Sequence, residues 1–304
     1  MIKYFCGDFM KAENICLAFN LVTIYENASF NINDLDKVGV VGVNGAGKTT
    51  LFKVILNKLE LDSGKLRMDS KKRIGYLPQE IVLDDKEITV FDYIMSARPI
   101  NRLNRKLIKL YEDVANCDID DQSKILKQIS KTQELLEYYD CYNAENIMLE
   151  IISNMNIDSK LLDMKLKDLS GGQKSKIAFA HLIYSNPEIM LLDEPTNHLD
   201  VETRKYITNY LKNYKGMVLI ISHDVDFLNS VVNKILYINK TTKKISIYDG
   251  NYGIYKKKLE KEKEIQNKLI DNQEREIREL KDFIEKAKKA SRTNHNLKKM
   301  GKYR

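Results

Sequence analysis

The run G-V-N-G-A-G-K-T at residues 42–49 constrains the fold of this chain more than any other feature. It has the pattern G-x-x-x-x-G-K-[ST], in which glycines let successive backbone N–H groups turn toward a phosphate without obstruction by side chains. Apolar residues 38–41 before it predict a buried strand, and residues 49–56 after it predict a helix whose N-terminus adds partial positive charge. The sequence therefore predicts a strand–loop–helix unit that binds nucleotide phosphates. The alternative is a glycine-rich turn without a ligand.

The side chains of this loop have separate expected roles. Lys48 is expected to reach the β- and γ-phosphates, and the Thr49 hydroxyl is placed for Mg²⁺. The residues predicted to contact the nucleotide are Gly42, Val43, Asn44, Gly45, Ala46, Gly47, Lys48, Thr49 and Thr50.

A second apolar run, at residues 189–192, ends in the acidic pair Asp193 and Glu194. This pattern predicts a buried parallel strand whose carboxyl end faces a ligand crevice. Asp193 is then expected to be a Mg²⁺ ligand, and Glu194 to polarise an attacking water. The alternative is a buried strand followed by a polar loop that happens to begin with two acids.

These runs occur in an order that resembles the nucleotide-binding cassette of the ABC (ATP-binding cassette) superfamily. The residues that carry the resemblance, over nearly all of 12–250, are the loop at 42–49, Gln79, the L-S-G-G-Q run at 169–173, Asp193-Glu194, His198-Leu199-Asp200 and Ser222-His223-Asp224. The resemblance implies an α/β fold of the P-loop NTPase class and ABC cassette type, with a mixed sheet core, an antiparallel β edge and a helical subdomain. It also implies that the ligand is ATP.

The resemblance assigns further roles residue by residue. Gln79 is the Q-loop residue that links Mg²⁺ and water to the helical subdomain, so it is both a metal and a catalytic candidate. His223 is the switch histidine at the γ-phosphate, and residues 197–200 form the D-loop. Phe19 holds the position of an aromatic that stacks on adenine. A buried core role for Phe19 and a structural role for His223 are the alternatives.

The L-S-G-G-Q run implies a partner for the site. In the ABC family this helix start binds the γ-phosphate of ATP held by an opposing cassette, which assigns Ser170, Gly171, Gly172 and Gln173 to nucleotide binding across an interface. The expected partner is therefore a second cassette, in trans or from a missing C-terminal half. From the residues alone, Ser170 is also a favoured helix N-cap, and the two roles are compatible.

Composition indicates a cytoplasmic protein without its own membrane segment. With 304 residues, 43% of them apolar, the chain can bury the core of one large or two small domains. Its cysteines, at positions 6, 16, 117 and 141, form no C-x-x-C pair, which favours reduced thiols. No apolar run approaches the roughly 20 residues that cross a bilayer. We expect a cassette at 1–250, with its helical subdomain at about 93–180, and a basic helical linker or tail at 251–304.

The positive charge is concentrated in that tail. Residues 251–304 contain 17 Lys and Arg against 9 Asp and Glu, whereas residues 1–250 contain 33 against 34. A heptad stripe of mostly apolar residues predicts a helix that needs a partner helix, and polar residues 291–296 predict a break at a hairpin tip. The alternative is a solvated, partly disordered basic tail. The stripe consists of Ile270, Gln273, Ile277, Leu280, Ile284 and Ala287.

Two local features resemble the ABC-F subfamily. They are the form Asn197-His198-Leu199-Asp200 and the Gly250-Asn251-Tyr252 run before the charged helix, which is similar to the start of the ABC-F interdomain linker. The resemblance implies action on the ribosome or tRNA through the basic tail, with antibiotic protection as one form. The alternatives are the ATPase subunit of a membrane transporter and a truncated cassette that binds ATP without turnover.

Overall fold

The computed structural model describes residues 10–19, 22–83, 87–116, 118–197 and 199–300. It divides into two compact units, Met1–Tyr252 and Gly253–Arg304. The strands of the first unit are β1 (Met10–Phe19), β2 (Val22–Ile32), β3 (Lys37–Val41), β4 (Ser63–Met68), β5 (Ile74–Leu77), β6 (Ile189–Asp193), β7 (Met217–Ile221), β8 (Lys234–Ile238) and β9 (Ile245–Asp249).

The helices alternate with these strands in the pattern of an α/β fold. In chain order they are α1 (Lys48–Ile55), α2 (Val90–Met95), α3 (Ile100–Asn116), α4 (Ile119–Tyr138), α5 (Ala144–Asn154), α6 (Gly171–Ser185), α7 (Val201–Asn213), α8 (Val225–Val231) and α9 (Tyr252–Met300). Helices α2 to α6 lie between β5 and β6 in the chain, where the sequence predicts a helical subdomain; the boundaries of that subdomain remain a prediction.

The main sheet is mixed and has the strand order β5-β6-β7-β3-β8-β9. The first five strands in this order, β5, β6, β7, β3 and β8, run parallel, and β9 pairs antiparallel with β8 at the edge of the sheet. Strands β3, β6 and β7 are buried at every position, which explains their continuous apolar sequences, because helices cover both faces of a parallel sheet. The predicted mixed sheet is confirmed, and β8 and β9 form a hairpin at its edge.

A second sheet forms the predicted antiparallel edge, with the order β2-β1-β4. Tyr25, Phe52 and Leu191 belong to one hydrophobic core that both sheets share with α1. This core fixes α1 between the sheets, and the loop before α1 therefore has a fixed position at the carboxyl edge of β3.

The second unit consists of the long helix α9, which spans 49 residues. The predicted break at residues 291–296 is wrong, because α9 continues to Met300. No glycine or proline occurs between residues 254 and 300, and the polar residues of this stretch cost at most about 0.7 kcal/mol each relative to alanine in a helix. Apolar residues along α9, such as Ile265 and Leu280, are each 60% exposed.

Candidate functional site

Ten of the predicted site residues converge at the carboxyl ends of the parallel strands. The loop after β3, the residues after β5 and the ends of β6 and β7 surround a cavity of about 380 Å³. This is the edge at which open α/β sheets bind ligands. The cavity is lined by Asn44, Gly45, Gly47, Lys48, Thr49, Thr50, Gln79, Asp193, Glu194, Ile221 and His223.

Lys48 begins α1 and folds back over the loop. Its ammonium group donates hydrogen bonds to the carbonyl oxygens of Gly42 (2.9 Å) and Val43 (3.4 Å). Burial lowers the Lys48 pKa, and the nearby carboxylates of Glu194 and Asp193 oppose that shift. The side chain thus lies as a cation between the loop and two acids, where it can bind an anion.

The end of the loop requires glycine and is held by a tyrosine. Gly47 has φ of 104°, and a Cβ atom at this position would lie 2.6 Å from the Ile24 side chain. The fully buried Tyr25 hydroxyl donates a 2.6 Å hydrogen bond to the Gly47 carbonyl oxygen. Tyr25 therefore connects the core of the antiparallel sheet to the first turn of α1.

Asp193 ends β6 with its side chain directed at α1. The residue is 2% exposed, and its Oδ2 accepts a 2.9 Å hydrogen bond from the Thr49 hydroxyl. Burial raises the Asp193 pKa, whereas the Thr49 hydrogen bond and the charge of Lys48 lower it. The arrangement brings a carboxylate and a hydroxyl, both hard oxygen ligands, to one point of the cavity.

Glu194 follows in a left-handed conformation, with φ of 52°. Its backbone N–H donates to the Ile221 carbonyl oxygen (2.8 Å), and its Oε2 accepts from the backbone N–H of His223 (3.3 Å). His223 Nε2 lies 3.5 Å from Glu194 Oε1, which is buried and has no hydrogen-bond partner among the described residues. Burial raises the Glu194 pKa. Pairing of Asp193 with Ile221 across β6 and β7 produces this proximity.

Gln79 reaches the same cavity from the neighbouring strand. It lies two residues after β5, which pairs with β6 in register. Its side chain lines the cavity together with those of Asp193 and Glu194. The remaining predicted loop contacts, Gly42, Val43 and Ala46, do not line the cavity; Val43 is 59% exposed and Ala46 is buried.

Other predicted nucleotide contacts lie elsewhere. Ser170 is the N-cap of α6, its hydroxyl accepts from the Gln173 N–H, and the Gln173 side chain accepts from the Ser170 N–H. This capping box confirms the structural role of Ser170. Residues 170–173 do not line the cavity, and neither does Phe19, which ends β1 and is 48% exposed.

The residues after β6 connect the α6 helix to the catalytic edge. Asp200 caps α7 by accepting from the Thr203 N–H, and its Oδ2 lies 2.5 Å from the Lys176 ammonium on α6. Arg204 of α7 pairs with Asp224, the residue after His223. His198 lies outside the described residues.

Comparison with protein families identifies the chain. A family model described as ABC transporter matches residues 25–197, and a second model with the same description matches residues 239–303. The chain therefore belongs to the ABC family and contains an ABC ATPase cassette. Its relatives place it in the F subfamily of that family.

Curated relatives match along most of this chain. The uncharacterized ABC transporter ATP-binding protein YfmM of Bacillus subtilis is 32% identical over 92% of the chain. The ATP-binding protein Uup of Escherichia coli is also 32% identical over 92%, and ABC transporter F family member 5 of Arabidopsis thaliana is 26% identical over 90%. The chain spans 54%, 43% and 40% of the lengths of these relatives.

Solved structures show the same fold. The dimeric structure of MJ0796, a bacterial ABC transporter cassette, has a TM-score of 0.56 at 18% identity, and covers 79% of this chain and 98% of that one. A nucleotide-free ATP-binding cassette from an ABC transporter has a TM-score of 0.55 at 21% identity, and the match covers 82% of this chain and 94% of that one. None of the helices in the described part of the chain combines the length and apolar character that crossing a bilayer requires.

Sequence reasoning missed two residues that contact the phosphate loop. Tyr25 lies in a β-rich segment 22 residues before Gly47, and no pattern distinguishes it from the other 16 of the 17 tyrosines. Lys240 lies 196 residues from its partner Asn44, in the turn between β8 and β9, and no motif marks it. In contrast, the capping box was detectable, because Ser-x-x-Gln before a helix is its sequence signature.

Proposed function

We propose that this cassette hydrolyses ATP at the carboxyl edge of its main sheet. Lys48 and the N–H groups of the loop bind the phosphates, Glu194 orients the attacking water, and His223 contacts the γ-phosphate. The observation that carries the proposal is the meeting of β6 and β7, where Asp193, Glu194 and His223 face the loop across one cavity.

The acidic groups fit a magnesium ion. Mg²⁺ in nucleotide sites is bound by one or two carboxylates, a hydroxyl, water and substrate phosphates rather than by a complete protein cage. The described residues contain no group of three or more His, Cys, Asp or Glu side chains that could hold a metal alone. Asp193, Thr49 and Gln79 would hold the ion, which neutralises charge on the β- and γ-phosphates when bound.

Glu194 has the properties of a group that orients water. Its buried Oε1 has no hydrogen-bond partner in the described structure, and a buried carboxylate oxygen without a donor is costly unless a ligand or water supplies one. Burial also raises its pKa, which makes the carboxylate a stronger proton acceptor.

A second cassette completes the site in this proposal. Residues 170–173 start α6 away from the cavity of their own chain, and Ser170 is exposed. A helix N-terminus of this kind binds anions, so we propose that it closes over the γ-phosphate of ATP on another cassette. Phe19 is proposed to stack on adenine, for which its exposed position at the end of β1 is suitable.

We propose further that the basic second unit directs this ATPase to ribosomal RNA. Helix α9 has 49 residues, a length of roughly 73 Å, and residues 251–304 carry 17 basic against 9 acidic side chains. Such a surface binds phosphate backbones with strong salt dependence. The membership in the F subfamily supports a role in translation, of which protection against ribosome-targeting antibiotics is one form.

Ribosome co-sedimentation with ATP at rising salt tests this proposal. Replacing Lys286, Lys288 and Lys289 with glutamate is expected to abolish pelleting at moderate salt and to reduce the salt slope by about 2 to 3. The matched control changes three exposed lysines of α3 and α4, Lys106, Lys109 and Lys127, and is expected to pellet normally. Absence of ATP-dependent pelleting in the unmodified protein, or isolation of the chain in a complex with a membrane protein, would contradict the ribosomal role.

A further inference from the structure

The turn between β8 and β9 contacts the tip of the phosphate loop. The Lys240 ammonium group donates a 3.2 Å hydrogen bond to the carbonyl oxygen of Asn44. It would also lie 3.5 Å from a Cβ atom at Gly45. Lys240 is not among the residues that line the cavity, whereas Asn44 and Gly45 are.

The turn that carries Lys240 is well defined. The Asn239 side chain accepts hydrogen bonds from the N–H groups of Thr241 (2.9 Å) and Thr242 (3.1 Å). The Lys243 carbonyl oxygen accepts from the N–H of Glu26 in β2 (3.0 Å). The turn is therefore fixed to both sheets, and Lys240 extends from a rigid base.

The peptide group between Asn44 and Gly45 is the central one of a turn that is closed by the hydrogen bond from the Ala46 N–H to the Val43 carbonyl oxygen (3.0 Å). Gly45 has φ of 74°, and glycine accepts both signs of φ at little cost, so the peptide plane can flip. The peptide bond is trans and planar, so its carbonyl oxygen and its N–H point in opposite directions. Holding the Asn44 oxygen toward Lys240 therefore holds the Gly45 N–H pointing away from Lys240.

We infer that Lys240 is a positioning residue for ATP, which fixes the tip of the loop so that the Gly45 N–H faces the phosphates. Lys48 donates hydrogen bonds to the carbonyl oxygens of Gly42 and Val43, and Lys240 donates one to the carbonyl oxygen of the next residue, Asn44. Lys48 is proposed to turn to the phosphates when ATP binds, whereas Lys240 keeps its contact because it lies outside the cavity. Its charge also adds to the attraction for the nucleotide.

Matched variants of the same turn test this role. Lys240→Met removes the ammonium and keeps the aliphatic stem, Lys240→Arg restores a cationic donor, and Lys244→Met removes an equal charge from an exposed neighbour. Because one charge-assisted hydrogen bond is lost at an exposed site, we expect the Kd for ATP to rise about fivefold in Lys240→Met. We expect kcat at saturating ATP in Lys240→Met to stay within about twofold of that of the unmodified protein. The Kd for ATP in Lys240→Arg and in Lys244→Met should also stay within about twofold of the original value.

A second measurement separates positioning from a general effect on stability. The ¹⁵N amide resonance of Gly45 in the nucleotide-free protein should shift in Lys240→Met and return toward its original position in Lys240→Arg, with equal melting temperatures. An unchanged Kd in Lys240→Met, or an equal change in Lys244→Met, would overturn the inference. Failure of the unmodified protein to bind ATP would instead refute the proposed site as a whole.

Discussion

Removal of the Tyr25 hydroxyl tests whether the core of the antiparallel sheet supports the phosphate loop. Tyr25 is 0% exposed, and its hydroxyl lies 2.6 Å from the Gly47 carbonyl oxygen. Tyr25→Phe retains the ring and its packing, so the change removes one hydrogen bond without a large cavity. Its effect on the loop can therefore be calculated from that bond.

The expected cost is about 1 kcal/mol. Loss of a typical hydrogen bond costs about 0.5–1.5 kcal/mol, and an acceptor left without any partner costs up to about 3 kcal/mol. The Gly47 oxygen keeps its helical hydrogen bond from the Leu51 N–H (2.9 Å), so the larger value does not apply. If the loop bears the whole cost in its ATP-binding conformation, the Kd for ATP rises about fivefold.

Urea unfolding monitored by far-ultraviolet circular dichroism, together with calorimetric titration with ATP, measures both quantities. Tyr76→Phe is the matched control, because Tyr76 is half-buried with its ring against Phe52 (6.2 Å) and, among the described residues, its hydroxyl makes no hydrogen bond to the loop. We expect this control to change the free energy of unfolding by less than about 0.5 kcal/mol. Equal effects of the two substitutions, or an unchanged ATP affinity in Tyr25→Phe, would refute the proposed support.

Three further predictions concern single positions. Gly47→Ala places a Cβ 2.6 Å from the Ile24 side chain at φ of 104°. It should lower the free energy of unfolding of the cassette by at least about 1–3 kcal/mol and abolish ATP binding. Normal ATP binding in calorimetric titration would contradict this prediction. Ser170→Ala removes the cap of α6 and should cost about 1 kcal/mol in urea unfolding, whereas Ser170→Asp should keep the cap but repel phosphate and lower ATPase activity; full activity of the aspartate variant would argue against the interface role. Burial lowers the His181 pKa from 6.5 to about 4. Between about pH 6.5 and 4 the unfolded state therefore binds a proton that the folded state does not. The free energy of unfolding should fall as pH drops through this range, by at most about 3 kcal/mol. His181→Phe, which can keep the stacking on Tyr93 (4.4 Å), should flatten that dependence, and an unchanged slope would exclude His181 as its source.

The sequence predicted the site best where motifs lie next to strands. The runs at 38–41, 189–192 and 217–221, which lie just before Gly42, Asp193 and Ser222, are apolar, so they mark buried parallel strands, and the carboxyl ends of such strands meet at one edge. The contacts of Tyr25 and Lys240 depend on pairing between distant segments, which no local pattern records.

The break predicted in α9 failed for a local reason. Polarity indicates exposure rather than the end of a helix, and only glycine or proline terminates a helix strongly. The L-S-G-G-Q segment is a case in which a local pattern was sufficient for the structural role, because the helix cap follows from the local sequence. Its proposed role toward a second cassette cannot be seen in one chain, because it requires a partner.

The most direct test of the central claim compares Glu194→Gln with the unmodified cassette. Glutamine preserves the size of the side chain and its contact with the His223 N–H, but it cannot accept a proton from water. We expect ATP affinity within about threefold of the original and turnover lower by about 10²–10⁴-fold. The exposed neighbour of Gln79, Glu80→Gln, is the control with unchanged turnover. Accumulation of an ATP-bound pair of cassettes by Glu194→Gln is the predicted result, and normal turnover in that variant would contradict the account.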